Sequence, residues 1–137
     1  MSSTFLDSNV LLYLFSADAV KANTTEALLS QSPTISVQVL NEITSVCLRK
    51  LKMPWSEITD LLQAVKATCR IVPLTVETHA QAVRLAQQHH LSFYDAHILA
   101  AAIASGADTL MSEDMHAGLT VLGVRIYNPF APPGVRM

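Results

Sequence analysis

Short β-branched or apolar runs alternate along this chain with longer stretches in which apolar residues return every three or four positions. The first pattern suits buried strands and the second suits amphipathic helices. Thr4–Leu6 is a short apolar edge leading into Asp7-Ser8-Asn9, and Val10–Phe15 continues as helix or strand. Ala17–Ser30 reads as a helix with Ala27, Leu28 and Leu29 toward its end. Pro33 breaks it, and Thr34-Ile35-Ser36 is a short strand signal. Ser36 can cap the next helix, Val37–Lys50, whose Leu40, Ile43 and Cys47 share one face. Pro54 and Trp55 open another helix to about Thr68, with Ile58, Leu61, Leu62 and Val65 as its stripe. Arg70–Leu74 is the next strand candidate. Thr75 then caps a helix through Gln88, with Val76, Ala80, Val83 and Ala86 at helical spacing. Ser92 starts a very apolar helix, Phe93–Ser105, which Gly106 stops. Ala107–Met111 reads as a buried strand, Val121–Tyr127 as the last one, and Pro129 to Gly134 as an irregular tail.

Strands separated by helical stretches imply a parallel sheet covered on both faces. The expected class is therefore α/β: a three-layer α/β/α sandwich with a short, mainly parallel sheet, residues 1–137 forming one domain. Ligands of such sheets bind beyond the carboxyl ends of the strands. Acids just after strands therefore carry more weight than acids elsewhere.

Composition agrees with a buried sheet. Half of the 137 residues are apolar and 15% are charged, against about 25% in an ordinary domain. The densest apolar runs, Val10–Phe15 and Ala96–Ala104, fall well short of the roughly 20 residues that span a bilayer. The first ten residues hold no Lys or Arg, so they lack the basic start of a secretory signal. The expected location is cytoplasmic, with no membrane contact. Cys47 and Cys69 have no second Cys or nearby His at ligand spacing and read as reduced, mostly buried thiols. Nine Lys and Arg stand against eleven Asp and Glu, a formal charge of −2. That balance argues against gripping nucleic acid by bulk positive charge.

Four acids stand out. Asp7 directly follows the first strand, where it reads equally as a helix N-cap, a job Ser8 could do as well, and as a site residue. Asp95 lies three residues after Ser92, a capping-box spacing, yet a capping acid can still present an oxygen to a cation. Asp114 follows the Ala107–Met111 strand, where a turn acid is the plain alternative. Glu42 is mid-helix, and taken alone it reads as a solvated acid paired with Arg49.

Together these acids complete a pattern. The chain resembles the PIN-domain nucleases, and within them the bacterial VapC-type toxins of toxin–antitoxin pairs. The resemblance rests on Phe5-Leu6-Asp7-Ser8-Asn9-Val10-Leu11, on Glu42 within Val39-Leu40-Asn41-Glu42-Ile43, and on Leu91-Ser92-Phe93-Tyr94-Asp95-Ala96. It continues through an Ala-rich helix to Gly106-Ala107-Asp108-Thr109-Leu110 and Ser112-Glu113-Asp114-Met115-His116-Ala117-Gly118. Ser112 stands where the family often has Thr. The resemblance implies a ribonuclease that uses Mg²⁺ or Mn²⁺, a small VapB-like antitoxin that blocks the cleft, and a homodimer. It also implies roles: Asp7 and Asp95 as the firmest metal ligands, Glu42 and Asp114 completing the set through waters or a second ion. Asn9 and Ser112 would hold carboxylates by hydrogen bonds.

The chemistry points the same way. Two carboxylates about 5 Å apart repel by roughly 1 kcal/mol in water and about 3 kcal/mol at an effective dielectric of 20. Four in one cleft call for a cation, and hard oxygen donors without Cys or His suit Mg²⁺ or Mn²⁺. The histidines His79, His89, His90, His97 and His116 read as surface or packing residues, with His116 placed to approach a substrate. Trp55, Phe93 and Tyr94 read as core residues before they read as base-stacking ones. Arg49-Lys50-Leu51-Lys52 reads first as charge at a helix C-terminus, and second as a phosphate contact. Two other functions share the fold: a non-toxin PIN nuclease in RNA processing, and a non-catalytic α/β binding module. The second lacks any Gly-rich phosphate loop in a chain with four Gly. Setting the four acids aside leaves seven acids against nine bases, so a metal-filled cleft would sit in a mildly basic shell.

Overall fold

The computed structural model describes residues 3–131. The elements run β1 (Thr4–Leu6), α1 (Ser8–Leu12) with a 3₁₀ turn (Tyr13–Phe15), α2 (Ala19–Leu29), β2 (Thr34–Ser36) and α3 (Val37–Arg49). They continue with α4 (Trp55–Thr68), β3 (Arg70–Val72), α5 (Val76–His89), α6 (Phe93–Ala104), β4 (Thr109–Met111), β5 (Thr120–Val121) and β6 (Val124–Tyr127). Pro129, Phe130 and Ala131 are irregular, and Pro132, Pro133 and Gly134 lie outside the described residues.

The strands form one sheet in the order β3-β2-β1-β4-β6-β5. Every pairing is parallel except β5 with β6. This is the expected α/β class with a mainly parallel sheet. The chain builds outward from β1 to β2 and β3, then returns through α5 and α6 to lay β4 on the other side of β1. With right-handed crossovers, that reversal puts α1 to α4 on one face and α5 with α6 on the other. The strand order switches between β1 and β4, which is where open α/β sheets place their ligand crevice.

The core follows from what the central strands carry. Phe5, Leu6, Ile35, Leu110 and Ile126 are fully buried, and each stabilises the fold by about 1.5–3 kcal/mol through burial. The helix α6 is apolar on all sides. Seven consecutive residues, Ala96 to Ala102, are buried, and the helix packs against α5, β2, β4 and β6. Its ends have the expected causes: Ser92 Oγ accepts the Asp95 N–H, and Gly106 takes φ +80° after the last turn.

Three readings of the pattern change. The last strand is a hairpin: β5 and β6 are joined by Leu122 and Gly123, both at positive φ (47° and 87°). That is the backbone sense of a tight hairpin turn, normally flagged by Asn or Asp rather than Leu. The buried face of α5 is Thr78, Ala82 and Leu85, while Val76 and Val83 are exposed. Ala80 and Ala86 of the expected stripe are half-buried beside that face, and Ala86 packs on the core. Finally, Trp55, Phe93 and Tyr94 are 60%, 37% and 62% exposed rather than core. They occupy the first turns of α4 and α6. Cys47 and Cys69 are buried and unbridged. Burial raises both thiols, Cys69 to about 11, which keeps them protonated and unreactive. Among the described residues, no helix is long and apolar enough to cross a membrane.

Candidate active site

Asp7 is the pivot of the site. The register pairs Leu6 of β1 with Met111 of β4, so the next residues, Asp7 and Ser112, meet just beyond the strands. Ser112 Oγ donates to Asp7 Oδ2 at 2.8 Å, and Asn9 Nδ2 donates to the same oxygen at 3.4 Å. The other oxygen accepts the Ser8 N–H at 2.7 Å. Asp7 therefore caps α1 and lines the cleft at once. It is 3% exposed, and its carboxyl is pushed up to about 6. Burial is the main cause, opposed by the Ser112 and Ser8 hydrogen bonds and reinforced by repulsion from Glu42 and Asp95.

Glu42 reaches the same place from α3. Its partners are Ser8 Oγ at 2.7 Å and Gln38 Nε2 at 3.3 Å, rather than Arg49. Ser8 Oγ also lies 3.4 Å from Asp7 Oδ1, so one hydroxyl stands between two carboxylates. Sequence reading assigned Ser8 only a capping role. Asp95 sits in the first turn of α6, half-buried. Burial raises its carboxyl, a hydrogen bond with Ser92 lowers it, and Asp114 raises it again. Asp114 is exposed in the loop after β4.

The structure brings all four acids together. Asp7, Glu42, Asp95 and Asp114 line one cleft of ≈ 300 Å³ with Ser8 and Asn9. Beyond Glu42 the surface continues past Arg49 and Tyr94. Beyond Asp95 and Asp114 it continues past His89, His90 and His116. Among the described residues, no three His, Cys, Asp or Glu side chains are drawn tightly enough to hold one ion by themselves. Mg²⁺ does not require such a cage. It usually keeps several waters and takes one or two carboxylates, completing its shell with substrate phosphates. A buried, repelled carboxylate beside three others is a donor set that fits a hard divalent cation.

Two further groups hold the site from behind. The loop carrying Ser112 and Asp114 is anchored through Glu113. Tyr13 OH donates to Glu113, Lys21 Nζ bonds Glu113 at 3.0 Å and Tyr13 OH at 3.1 Å, and the Glu113 N–H reaches Asn9 Oδ1 at 3.3 Å. Lys21 also stands 4.4 Å from the Tyr13 ring centroid. Glu113 raises the Tyr13 phenol most, with Lys21 opposing. Nothing in the spacing of Tyr13, Lys21 and Glu113 signals this clamp, because it joins three separate elements. His97 is buried under Phe93, with ring centroids 6.1 Å apart and Nδ1 without a partner. Burial first, then His79, lowers its basicity, while Glu42 raises it. That holds the imidazole neutral at pH 7, as a packing residue.

The profile of the PIN domain family matches residues 4–117. Among curated proteins no match was found. Among solved structures, a toxin–antitoxin complex from Klebsiella pneumoniae contains a chain that is 21% identical. The match covers 93% of this chain and 98% of that one, with a TM-score of 0.71. VapC20 of Mycobacterium tuberculosis, described as a sarcin–ricin loop cleaving toxin, is 20% identical, covering 79% and 87%, with a TM-score of 0.64. VapBC2 of Rickettsia felis, bound to a DNA fragment from its promoter, contains a chain 18% identical, covering 91% and 97%, with a TM-score of 0.67. At these identities the likeness is one of fold.

Proposed function

The chain belongs to the PIN domain family, and from that premise we propose that it is a metal-dependent endoribonuclease, the toxin of a toxin–antitoxin pair. One observation carries the reading: Asp7, Glu42, Asp95 and Asp114 line a single cleft at the strand-order switch. The proposed unit is one domain spanning residues 1–137. It would act in the cytoplasm as a homodimer, and a small VapB-like antitoxin would cover the cleft. The toxin–antitoxin complexes among its structural neighbours support that partner.

Asp7 and Asp95 are the proposed ligands of Mg²⁺ or Mn²⁺, with Glu42 and Asp114 completing the set directly or through water. Such an ion, when bound, lowers the pKa of a water and stabilises the leaving oxygen of a phosphodiester. The chain's own residues supply the rest. Ser112 and Asn9 fix the Asp7 carboxylate, and Ser8 holds Glu42 beside it. Burial keeps bulk water away from Asp7. That strengthens its pull on a cation, because the local dielectric is low.

Total RNA incubated with the purified protein is expected to be cut at discrete sites with Mg²⁺ and left intact with EDTA, with Asp7→Asn inactive under both conditions. Cutting that persists in EDTA, or full activity of Asp7→Asn, would remove the metal site from the proposal.

A further inference from the structure

His89, His90 and His116 come from two separated parts of the chain, the end of α5 and the loop after β4, yet they wall one cleft of ≈ 460 Å³. Its lining also includes Leu91, Met115 and Leu119, all three of which pack on the hydrophobic core. The cleft shares Asp95 and Asp114 with the acid site, so its mouth opens onto the proposed cutting position. His90 has φ 56° and ψ 35°. That left-handed conformation at a helix end is normally left to Gly or Asn, because a β-carbon disfavours it.

The lining selects the chemistry of the occupant. An imidazole offers a flat π face and two ring nitrogens that can hydrogen-bond. Unstacked bases are bound by such rings, through stacking and edge hydrogen bonds, over apolar contacts. A phosphate is disfavoured, because two carboxylates border the cleft. We propose that this cleft is a nucleobase subsite: it holds the base of the nucleotide next to the scissile phosphate and sets the sequence at which RNA is cut. This rests on the nuclease reading, deepens it, and assigns His90 and His116 to substrate selection.

Two measurements test it. In the first, oligoribonucleotides randomised around a mapped cut are digested with Mg²⁺ by the wild type, His90→Gly and His116→Ala. His90→Gly removes the imidazole and relieves the backbone, so its melting temperature should equal or exceed that of the wild type. The wild type should prefer particular bases at one position beside the cut. Both variants should reduce that preference about tenfold, a typical loss when one stacking contact goes, and leave other positions unchanged. Preferences that survive in both variants overturn the proposal, as does a wild type indifferent to the flanking base.

The second measurement needs no cleavage. Histidine ring NMR signals are followed in EDTA during titration with the four nucleoside monophosphates and with ribose 5-phosphate, which carries no base. Shifts of the His90 and His116 rings with at least one nucleotide, and none with ribose 5-phosphate, support a base subsite. Equal shifts with ribose 5-phosphate mark a phosphate site, and no shift at all marks an unused surface; either overturns the proposal. A wild type that cuts no RNA defeats the nuclease reading, and the NMR result still decides the subsite.

Discussion

The loop after β4 has two sides, and neighbouring acids face them differently. Glu113 is met by Lys21 Nζ at 3.0 Å and by Tyr13 OH, a compensated charge that ties the 3₁₀ turn, α2 and the loop together. Asp114 faces the cleft, where its neighbours across the space are Asp7, Glu42 and Asp95. The first side satisfies its charges within the chain. The second buries a carboxylate and sets like charges beside it: Asp7 is pushed up to about 6, mainly by burial and further by repulsion from Glu42 and Asp95. Folding alone gives no reason to assemble the second side. Uncompensated charge in a cleft marks work to be done on something else.

The largest expected effect breaks the contrast on the cleft side. Asp7→Asn should lower metal-dependent RNA cleavage by about 10³-fold, since a cation's charge stabilisation is worth several kcal/mol and each 1.36 kcal/mol is tenfold. The same variant should melt higher than the wild type in EDTA at pH 7. If both melt alike, the cleft is not under electrostatic strain.

Next comes pH. Asp7 titrates near 6 in the folded protein against 3.8 for the ordinary group. Between these values the folded state keeps a proton that the unfolded chain has released. Stability from this group is therefore fully present below about pH 3.8 and is lost as pH rises through about 6. Metal-free wild type should gain up to about 3 kcal/mol on going from pH 7 to pH 4 through this group. Asp95, whose carboxyl is also raised, adds in the same direction. Urea melts of Asp7→Asn should show a flatter pH dependence, and an equal slope would refute the assignment.

A smaller effect is expected at Ser112. Removing its hydroxyl frees Asp7 Oδ2 from its closest side-chain donor. Partners that orient a metal ligand are typically worth 10–100-fold in affinity, so Ser112→Ala should raise the Mg²⁺ concentration for half-maximal cleavage by about that factor. The smallest effect belongs to the compensated side. Lys21→Met should leave the melting temperature and the cleavage rate close to wild type, because an ion pair this near the solvent contributes little to stability. A large loss of activity there would mean that the clamp sets the position of Asp114.

Much of this layout is legible in the sequence. Strand and helix order follow from Pro33, Pro54, Gly106 and the switch between apolar runs and helical spacing. Asp7 and Asp114 stand out because they follow strands. Glu42 does not: mid-helix, it looks like any solvated acid until α3 packs on α1. Ser8 looks like a cap until it bonds Glu42 across 34 positions. The hairpin at Leu122-Gly123 lacks its usual polar residue. The histidine cleft has no periodic signature, because His89 and His90 end a helix and His116 sits in a loop. Local rules see local causes, and these features arise from contacts made across the fold.

The bond between Asp7 and Ser112 spans 105 positions, and β1 finds β4 only after the whole helical crossover is made. Ribosomes add roughly 5–20 residues per second. A nascent chain therefore carries Asp7 for several seconds before the strand that completes its cleft exists. Pairings this remote also fold slowly. For the proposed nuclease, made on RNA, that order of events is an advantage: its acid cleft cannot be assembled until β4 and the loop after it have been synthesised.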